Sequence, residues 1–344
     1  MPSLRRLHLR RSAPLFFALW TILLSPALSG CSGSYYVLAP ASPGASKIAA
    51  FFWLLVAIAG AVFLAVEALL IVAIVRFRHR PGAPEPDQIH GNLRLETLWT
   101  LVPVFILAAV FVAMASTMAA VTERPADALR VKVIGHQWWW EIQYPDLGFT
   151  TATDIHVPVG RPVEIEVLAV DVIHSFWSPD LAGKIDAVPG HTNLIQFTAG
   201  VLGVYRGWCA EFCGAQHANM GFLVVVQSEE DFEEWAKKVQ EPARTPREGP
   251  AVRGAEAFFG RGCNGCHAIA GTAAQGKIGP NLTHFAGRRT IGAVALENNP
   301  GNLAAWLADP QAIKPGTQMP NLRLSPEVVQ DLVSYLLAER ENRD

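Results

Sequence analysis

Residues 209–220 read Cys209-Ala210-Glu211-Phe212-Cys213-Gly214-Ala215-Gln216-His217-Ala218-Asn219-Met220, placing two thiols, an imidazole and a thioether within twelve positions. Thiolate, thioether and imidazole together favour copper on grounds of softness. A further imidazole, His174, stands upstream in Asp171-Val172-Ile173-His174-Ser175-Phe176-Trp177. One cysteine, one methionine and two histidines make a mononuclear copper set; the second cysteine offers two bridging thiolates and hence two copper ions. A tetrahedral zinc site and a Cys209–Cys213 disulfide are the alternatives, and neither gives Met220 a role. The flanking sequence is strand-like. Residues 129–134 and 163–168 alternate apolar and polar as half-buried strands do, and 193–197, 203–208 and 222–227 read as further short strands. Turns such as Val188-Pro189-Gly190 separate them. Strands at this spacing predict an antiparallel sandwich of roughly a hundred residues.

Working toward the C-terminus, Ser228 caps an amphipathic helix through about 240, with Glu229, Glu230 and Asp231 in its first turn as the helix dipole prefers. Residues 241–250, with Pro242, Pro246 and Pro250, form a linker. Beyond 251 the strands vanish and helices are expected near 252–261, 302–308 and 325–339, the last with Ser325 as cap and Pro326 at its first position. Val329, Leu332, Val333 and Leu336 give that helix a buried stripe. So small an all-α unit needs a large apolar cofactor at its centre. Cys263-Asn264-Gly265-Cys266-His267 supplies the attachment spacing for a c-type haem. The two thiols would form thioethers and His267 would be the proximal ligand, against the alternative of a zinc or redox CxxC followed by a chance histidine. Met319, in Gly316-Thr317-Gln318-Met319-Pro320, is the only methionine after the linker and the leading second axial ligand, with His284 its competitor. A Met/His pair raises the potential and suits electron transfer.

Working toward the N-terminus, hydrophobic residues make up 51% of the 344 and the mean hydropathy is +0.24, too apolar for an ordinary soluble protein. Apolar stretches at about 47–75 and 97–121 are each long enough to span a bilayer. The loop between them carries Arg76, Arg78, Arg80 and Arg94, whereas Lys47 alone lies close before the first span. The positive-inside rule puts the loop in the cytoplasm and both ends of the hairpin outside. Arg5, Arg6, Arg10 and Arg11 precede the apolar segment 15–24, and Leu28-Ser29-Gly30-Cys31 fits a lipoprotein signal cut before an acylated Cys31. An uncleaved first helix is the alternative, but a core of about ten residues falls short of the ~20 needed to span. Glu67 lies within the first span, where an ionisable group is costly and often functional. A formal net charge of −2 and the lack of a face-long basic patch give no sign of a nucleic-acid partner. All five cysteines fall within these three motifs.

The hairpin, His174, and Cys209-Ala210-Glu211-Phe212-Cys213 with the trailing His217 and Met220 resemble subunit II of the haem-copper cytochrome oxidases. The fused Cys263-to-His267 motif is similar to the branch whose subunit II carries its own cytochrome c. The resemblance covers about 40–340 with no departure among the metal ligands. It implies a multidomain membrane protein: a two-helix transmembrane hairpin, an all-β cupredoxin-like sandwich and an all-α cytochrome c domain. The expected division is a signal peptide of lipoprotein type at 1–30, a lipid-anchored N-terminus with the two spans at 31–125, the CuA domain at 126–228, helix and linker at 229–250, and the cytochrome c domain at 251–344. By resemblance, Cys209 and Cys213 bridge a binuclear CuA centre, His174 and His217 each bind one copper, Met220 is a weak ligand and the Glu211 carbonyl completes the set. The Glu211 side chain would reach a magnesium at the border with subunit I, which the segment around Asp186 also faces. Glu96 matches the mouth of a proton channel into subunit I. Trp138, in Gly135-His136-Gln137-Trp138-Trp139-Trp140, would be where electrons reach CuA; strand periodicity puts Trp138 and Trp140 on one face and Trp139 on the other.

The resemblance further implies an electron-input subunit of a terminal oxidase, lacking an oxygen-reducing centre of its own. Its partners would be subunit I and the other oxidase subunits, membrane lipid, and a soluble or membrane-bound cytochrome c-type donor. The linker spans roughly 17 Å as a coil and about 31 Å if extended, which confines the haem near copper at an effective concentration on the order of millimolar. A membrane-anchored haem and copper carrier, or the CuA subunit of a nitrogen-oxide reductase complex, are the rival functions. A quinol-oxidising relative, which lacks the copper ligands, does not fit.

Overall fold

A computed structural model describes residues 38–338 apart from 83, 86, 87 and 126. The basic N-terminal stretch, the apolar segment 15–24 and Cys31, on which the signal and acylation readings rest, lie outside the described residues.

Among the described residues two long helices come first, α1 (Pro43–Arg76) and α2 (Leu93–Val121). Both start about a turn before the apolar stretch read from sequence, because a polar cap and not hydrophobicity sets the first residue. Ser42 Oγ accepts from the Ala45 N–H at 2.9 Å, and Asn92 Oδ1 accepts from the N–H groups of Arg94 and Leu95 at 3.1 and 3.3 Å. Their apolar side chains point outward along most of their length, Leu64, Leu69, Phe105 and Leu107 among them. Just before α1, the Ala41 N–H donates to the Asp180 carbonyl and the Gly200 N–H to the Ala41 carbonyl, which stitches the start of the hairpin to the sandwich.

The sandwich has two five-stranded sheets. One is ordered β3 (Phe149–Ala152), β2 (Trp139–Tyr144), β1 (Leu129–His136), β5 (Pro162–Ala169), β8 (Asn193–Thr198). The other is ordered β4 (Asp154–Pro158), β10 (Gly221–Gln227), β9 (Gly203–Cys209), β6 (His174–Trp177), β7 (Ile185–Ala187). The expectation of a purely antiparallel sandwich is corrected here. β1 runs parallel to β5 and β4 parallel to β10, since alternation reports which face a residue takes and says nothing of strand direction. Val131, Val133, Ile142, Ile165 and Val167 from the first sheet meet Ile155, Phe176, Phe222 and Val224 from the second, all essentially unexposed. Trp140 sits among them, edge-on to Phe176 and Phe222. Trp138 does not share its face, because the ladder pairs His136 with Trp139 and leaves Gln137 and Trp138 as the connecting turn.

Helix α3 (Glu229–Gln240) follows, capped by Ser228 as expected, and buries Phe232 against the sandwich. The linker begins pinned: the Ala243 N–H donates to the Ala270 carbonyl at 3.0 Å. Then come α4 (Pro250–Gly260), α5 (Pro300–Ala308), α6 (Pro310–Ile313) and α7 (Pro326–Leu337). Helices α4 and α7 cross closely at Gly254, where a Cβ would stand 2.0 Å from the Asp331 carbonyl oxygen. The strand-free reading beyond 251 is also corrected, by β11 (Thr290–Ile291) and β12 (Leu296–Glu297). Two residues are too few to display a period.

Candidate metal centre

Sheet register builds the copper-type site. Because β6 pairs with β9 at Phe176 and Cys209, His174 at the start of β6 lies beside the end of β9. The Cys209 N–H donates to the Met220 carbonyl at 2.9 Å, closing the loop 210–219 on itself, and the Ala210 N–H donates to the Ser175 carbonyl at 2.9 Å. The donors therefore converge. Cys209 Sγ lies 3.7 Å from Cys213 Sγ, 3.9 Å from His174 Nδ1 and 3.2 Å from the Glu211 carbonyl oxygen. Cys213 Sγ lies 3.7 Å from His217 Nδ1 and 3.8 Å from Met220 Sδ. His174 and Met220 are wholly buried, and both thiols are buried and free. Gly135 in β1 makes room: a Cβ there would stand 2.8 Å from His174 Cδ2. Two thiols, two imidazoles, a thioether and a carbonyl within these distances fit a pair of soft metal ions bridged by sulfur.

The electrostatics favour thiolate at Cys209 and thiol at Cys213. The hydrogen bond with Cys213, then that with His174, outweighs burial and pushes the Cys209 thiol well down, while the same sulfur pairing pushes Cys213 up. At His174 burial lowers the pKa, but hydrogen bonds with Cys209 and Asp171 more than offset it and the net direction is up. Asp171 is a functional neighbour that sequence reasoning passed over. It faces His174 Nε2 at 2.8 Å and accepts from the N–H groups of Gln137 and Val172 at 2.6 and 2.7 Å, fixing which imidazole nitrogen turns to the sulfurs.

The second site is a cavity of about 220 Å³ in the C-terminal helical unit, walled by Cys263, Cys266, His267, Arg288, Met319 and, from the sandwich, Trp138. His267 Nδ1 donates to the Pro280 carbonyl at 2.8 Å, which leaves Nε2 as the nitrogen with a lone pair to offer. Gly279 packs against the ring so closely that a Cβ would stand 2.6 Å from His267 Cε1. Across the wall, Met319 Sδ accepts from Trp306 Nε1 at 3.2 Å, and Gln311 Nε2 donates to the carbonyls of Thr317 and Met319. His284 instead faces the Glu241 carbonyl at 2.8 Å and does not line the cavity. Burial lowers the His267 pKa, keeping the imidazole neutral for ligation. Arg288, unremarked in the sequence, is buried with its Nε unpaired in the wall. A cavity with paired thiols, a ligating imidazole, a thioether and a buried cation suits an anionic porphyrin.

Trp138 joins the two sites. Its indole N–H donates to the Cys213 carbonyl at 2.9 Å while its ring lines the cavity. Other sequence candidates stand apart. Glu96 Oε1 accepts from the Asn92 N–H at 3.1 Å on the exposed first turn of α2. Glu67 is exposed on α1, and Glu211 and Asp186 are exposed side chains that belong to no converging triad among the described residues.

Three family models match this chain: cytochrome c oxidase subunit II, transmembrane domain, over 32–118; cytochrome c oxidase subunit II, periplasmic domain, over 149–228; and cytochrome c over 251–339. The chain is 37% identical over 319 residues to cytochrome c oxidase subunit 2 of Alkalihalophilus pseudofirmus, covering 90% of this chain and 92% of that one. To the Bacillus subtilis subunit 2 it is 35% identical over 292 residues, covering 78% and 81%. The crystal structure of the periplasmic domain of subunit II of a Bradyrhizobium japonicum cytochrome oxidase is 32% identical, with a TM-score of 0.32 over 33% of this chain and 94% of that one. Identity sustained across both subunit II domains and the appended cytochrome c region places the chain in the cytochrome c oxidase subunit 2 family, as a membrane subunit of an oxidoreductase complex.

Proposed function

We propose that this chain admits electrons to a terminal oxidase of a bacterial membrane, from an external cytochrome c-type donor through haem c and then binuclear CuA to subunit I, where oxygen is reduced. Bound, the haem and the copper pair supply reversible one-electron chemistry. The residues do the holding. Cys263 and Cys266 would carry the haem, with His267 and Met319 as its protein ligands, and Cys209, Cys213, His174, His217, Met220 and the Glu211 carbonyl would hold the copper pair.

The observation that carries this reading is the position of Trp138, bonded to the backbone of a bridging cysteine and in the wall of the haem cavity. One side chain thus spans the gap that an electron must cross. Asp171 orients His174, and the Pro280 carbonyl orients His267. The arginines of the interhelical loop support an orientation with both metal domains on the outer face of the membrane. Glu96 serves the mouth of a proton path into subunit I, and the exposed Glu211 side chain would be available to a magnesium at that border.

Low-temperature EPR of the full chain, oxidised and copper-loaded, tests the reading. A signal with hyperfine coupling shared over two copper nuclei beside a low-spin haem is expected. A single-copper signal would overturn it and leave a haem-bearing carrier, which would purify without a many-spanning haem protein.

A further inference from the structure

Two charged side chains are buried where the cytochrome unit meets the sandwich, and each bonds to the backbone of the other side, Asp154 through Oδ2 alone because its Oδ1 has no partner. Lys314, on the segment leading to Met319, is 2% exposed. Its Nζ donates to the carbonyls of Trp138 and Asn219 in the sandwich, both at 2.7 Å, and to Gly292 of its own unit at 2.9 Å. All three ammonium protons are thereby used. Asp154, the first residue of β4, is 3% exposed and accepts through Oδ2 from the Arg289 N–H of the cytochrome unit at 2.9 Å. Backbone and amide bonds fill the ground between them. The Gly221 N–H donates to the Ala293 carbonyl at 3.0 Å, and Gln216 Nε2 donates to the Pro315 carbonyl at 2.7 Å.

A buried charge is tolerated only where polar partners replace its water. Lys314 finds two of its three partners, and Asp154 its backbone donor, only while the two units are docked. Undocking would return each to water and open Trp138 to solvent. We propose that Lys314 and Asp154 form a reciprocal clamp of opposite charges that fixes the cytochrome domain on the copper domain, with Trp138 held between the two cofactor sites. The tether alone confines the haem to a volume; the clamp selects one pose within it. Lys314 is a positioning residue, acting through the Trp138 carbonyl. The claim about electron transfer rests on the function proposed above, whereas the claim about docking does not.

The test uses the full chain in detergent, as wild type, Lys314→Met, Asp154→Ala and Asp154→Asn. Hydrogen exchange at the Gly221 and Arg289 amides reads docking without reference to any metal. Protection at both should fall on the order of tenfold or more in Lys314→Met and Asp154→Ala. Asn keeps an oxygen acceptor for the Arg289 N–H, so Asp154→Asn should recover most of it. Haem-to-copper transfer after flash reduction supplies a second readout. In wild type the rate should not depend on solvent viscosity, because no domain motion precedes it. In Lys314→Met it should slow on the order of tenfold and fall as viscosity rises, with copper EPR and haem spectrum unchanged. Wild-type protection at both amides in Lys314→Met, or a transfer rate as insensitive to viscosity as wild type, would overturn the clamp. A wild-type chain without paired copper would overturn the function proposed above and leave the exchange experiment intact.

Discussion

The copper loop and the haem cavity hold their ligands by different means. In the loop, donors sit on paired strands or on a segment closed by the Cys209–Met220 backbone bond, and sulfurs, imidazoles and carbonyl already lie 3.2 to 3.9 Å apart. Behind them stands a core of its own, from Val131 to Phe222. In the helical unit, Cys263 and Cys266 flank a single helical turn, and His267 and Met319 are held by one or two hydrogen bonds each around a cavity. Its buried core, Phe258, Leu303, Leu332 and a few neighbours, is small. The sandwich is thus a scaffold that presents a metal site, whereas the helices are a shell that the cofactor's apolar surface completes.

The harshest way to break that contrast is to remove attachment on each side. Replacing Cys263 and Cys266 by Ser should abolish the calorimetric transition of the helical unit and expose the chain beyond the linker to protease. Replacing Cys209 by Ser should abolish the paired-copper signal yet leave a cooperative sandwich transition. A helical unit that still melts cooperatively without haem would erase the distinction.

Strand β4 carries a sharper test, because it holds a half-buried imidazole, His156, and a buried carboxyl, Asp154, whose pKa values shift in opposite directions. Burial pushes His156 down to about 4, against its bond with Gln227, so the folded form stays neutral where the unfolded chain binds a proton. Stability from this residue is complete above about pH 6.5 and is lost as pH falls toward 4, on the order of 3 kcal/mol in all. Asp154 runs the other way. Burial pushes it up to about 6, so its contribution is complete below the ordinary carboxylate range and is lost as pH rises through 6. His156→Phe preserves the stack on Trp235, at 4.0 Å between centroids, and should flatten the acid limb in denaturant titrations. Asp154→Asn should steepen it. An acid limb unchanged in His156→Phe would place the loss elsewhere.

Between the two regions, Trp138→Phe should slow haem-to-copper transfer on the order of tenfold while copper stays bound, since Gln137 Nε2 also donates to the Cys213 carbonyl at 2.7 Å. A wild-type rate would mean that the electron takes another path.

What the sequence disclosed follows the same divide. The proposed ligands are chemically rare residues at fixed spacing, so Cys209 to Met220 and Cys263 to His267 stand out as motifs, and the long apolar helices do so by length. Lys314, Asp154, Asp171 and Arg288 are ordinary residue types whose roles arise from contacts across long sequence separations. Lys314 and Trp138 are 176 residues apart, and no local pattern encodes that meeting. The parallel pairing of β1 with β5 was hidden for the same reason. Periodicity alone puts Trp138 on a strand, whereas it lies in a two-residue turn that interrupts the alternation without a Gly or Pro to mark it.

The smallest expected effect separates two roles for Glu96. Its Oε1 accepts the Asn92 N–H and so helps to cap α2, a service worth about 1 kcal/mol at most. Position at the head of α2, among the loop arginines, also suits a carboxylate that passes protons toward subunit I. Glu96→Gln distinguishes them, because the amide keeps an oxygen acceptor for the cap and cannot exchange a proton near neutral pH. Glu96→Ala removes both. In the assembled oxidase, Glu96→Gln should slow turnover several-fold, on the order of what a single acid–base group contributes at its weakest, while haem-to-copper transfer within this chain stays at the wild-type rate. If turnover is unchanged in Glu96→Gln and falls only in Glu96→Ala, Glu96 is a helix cap and protons enter elsewhere.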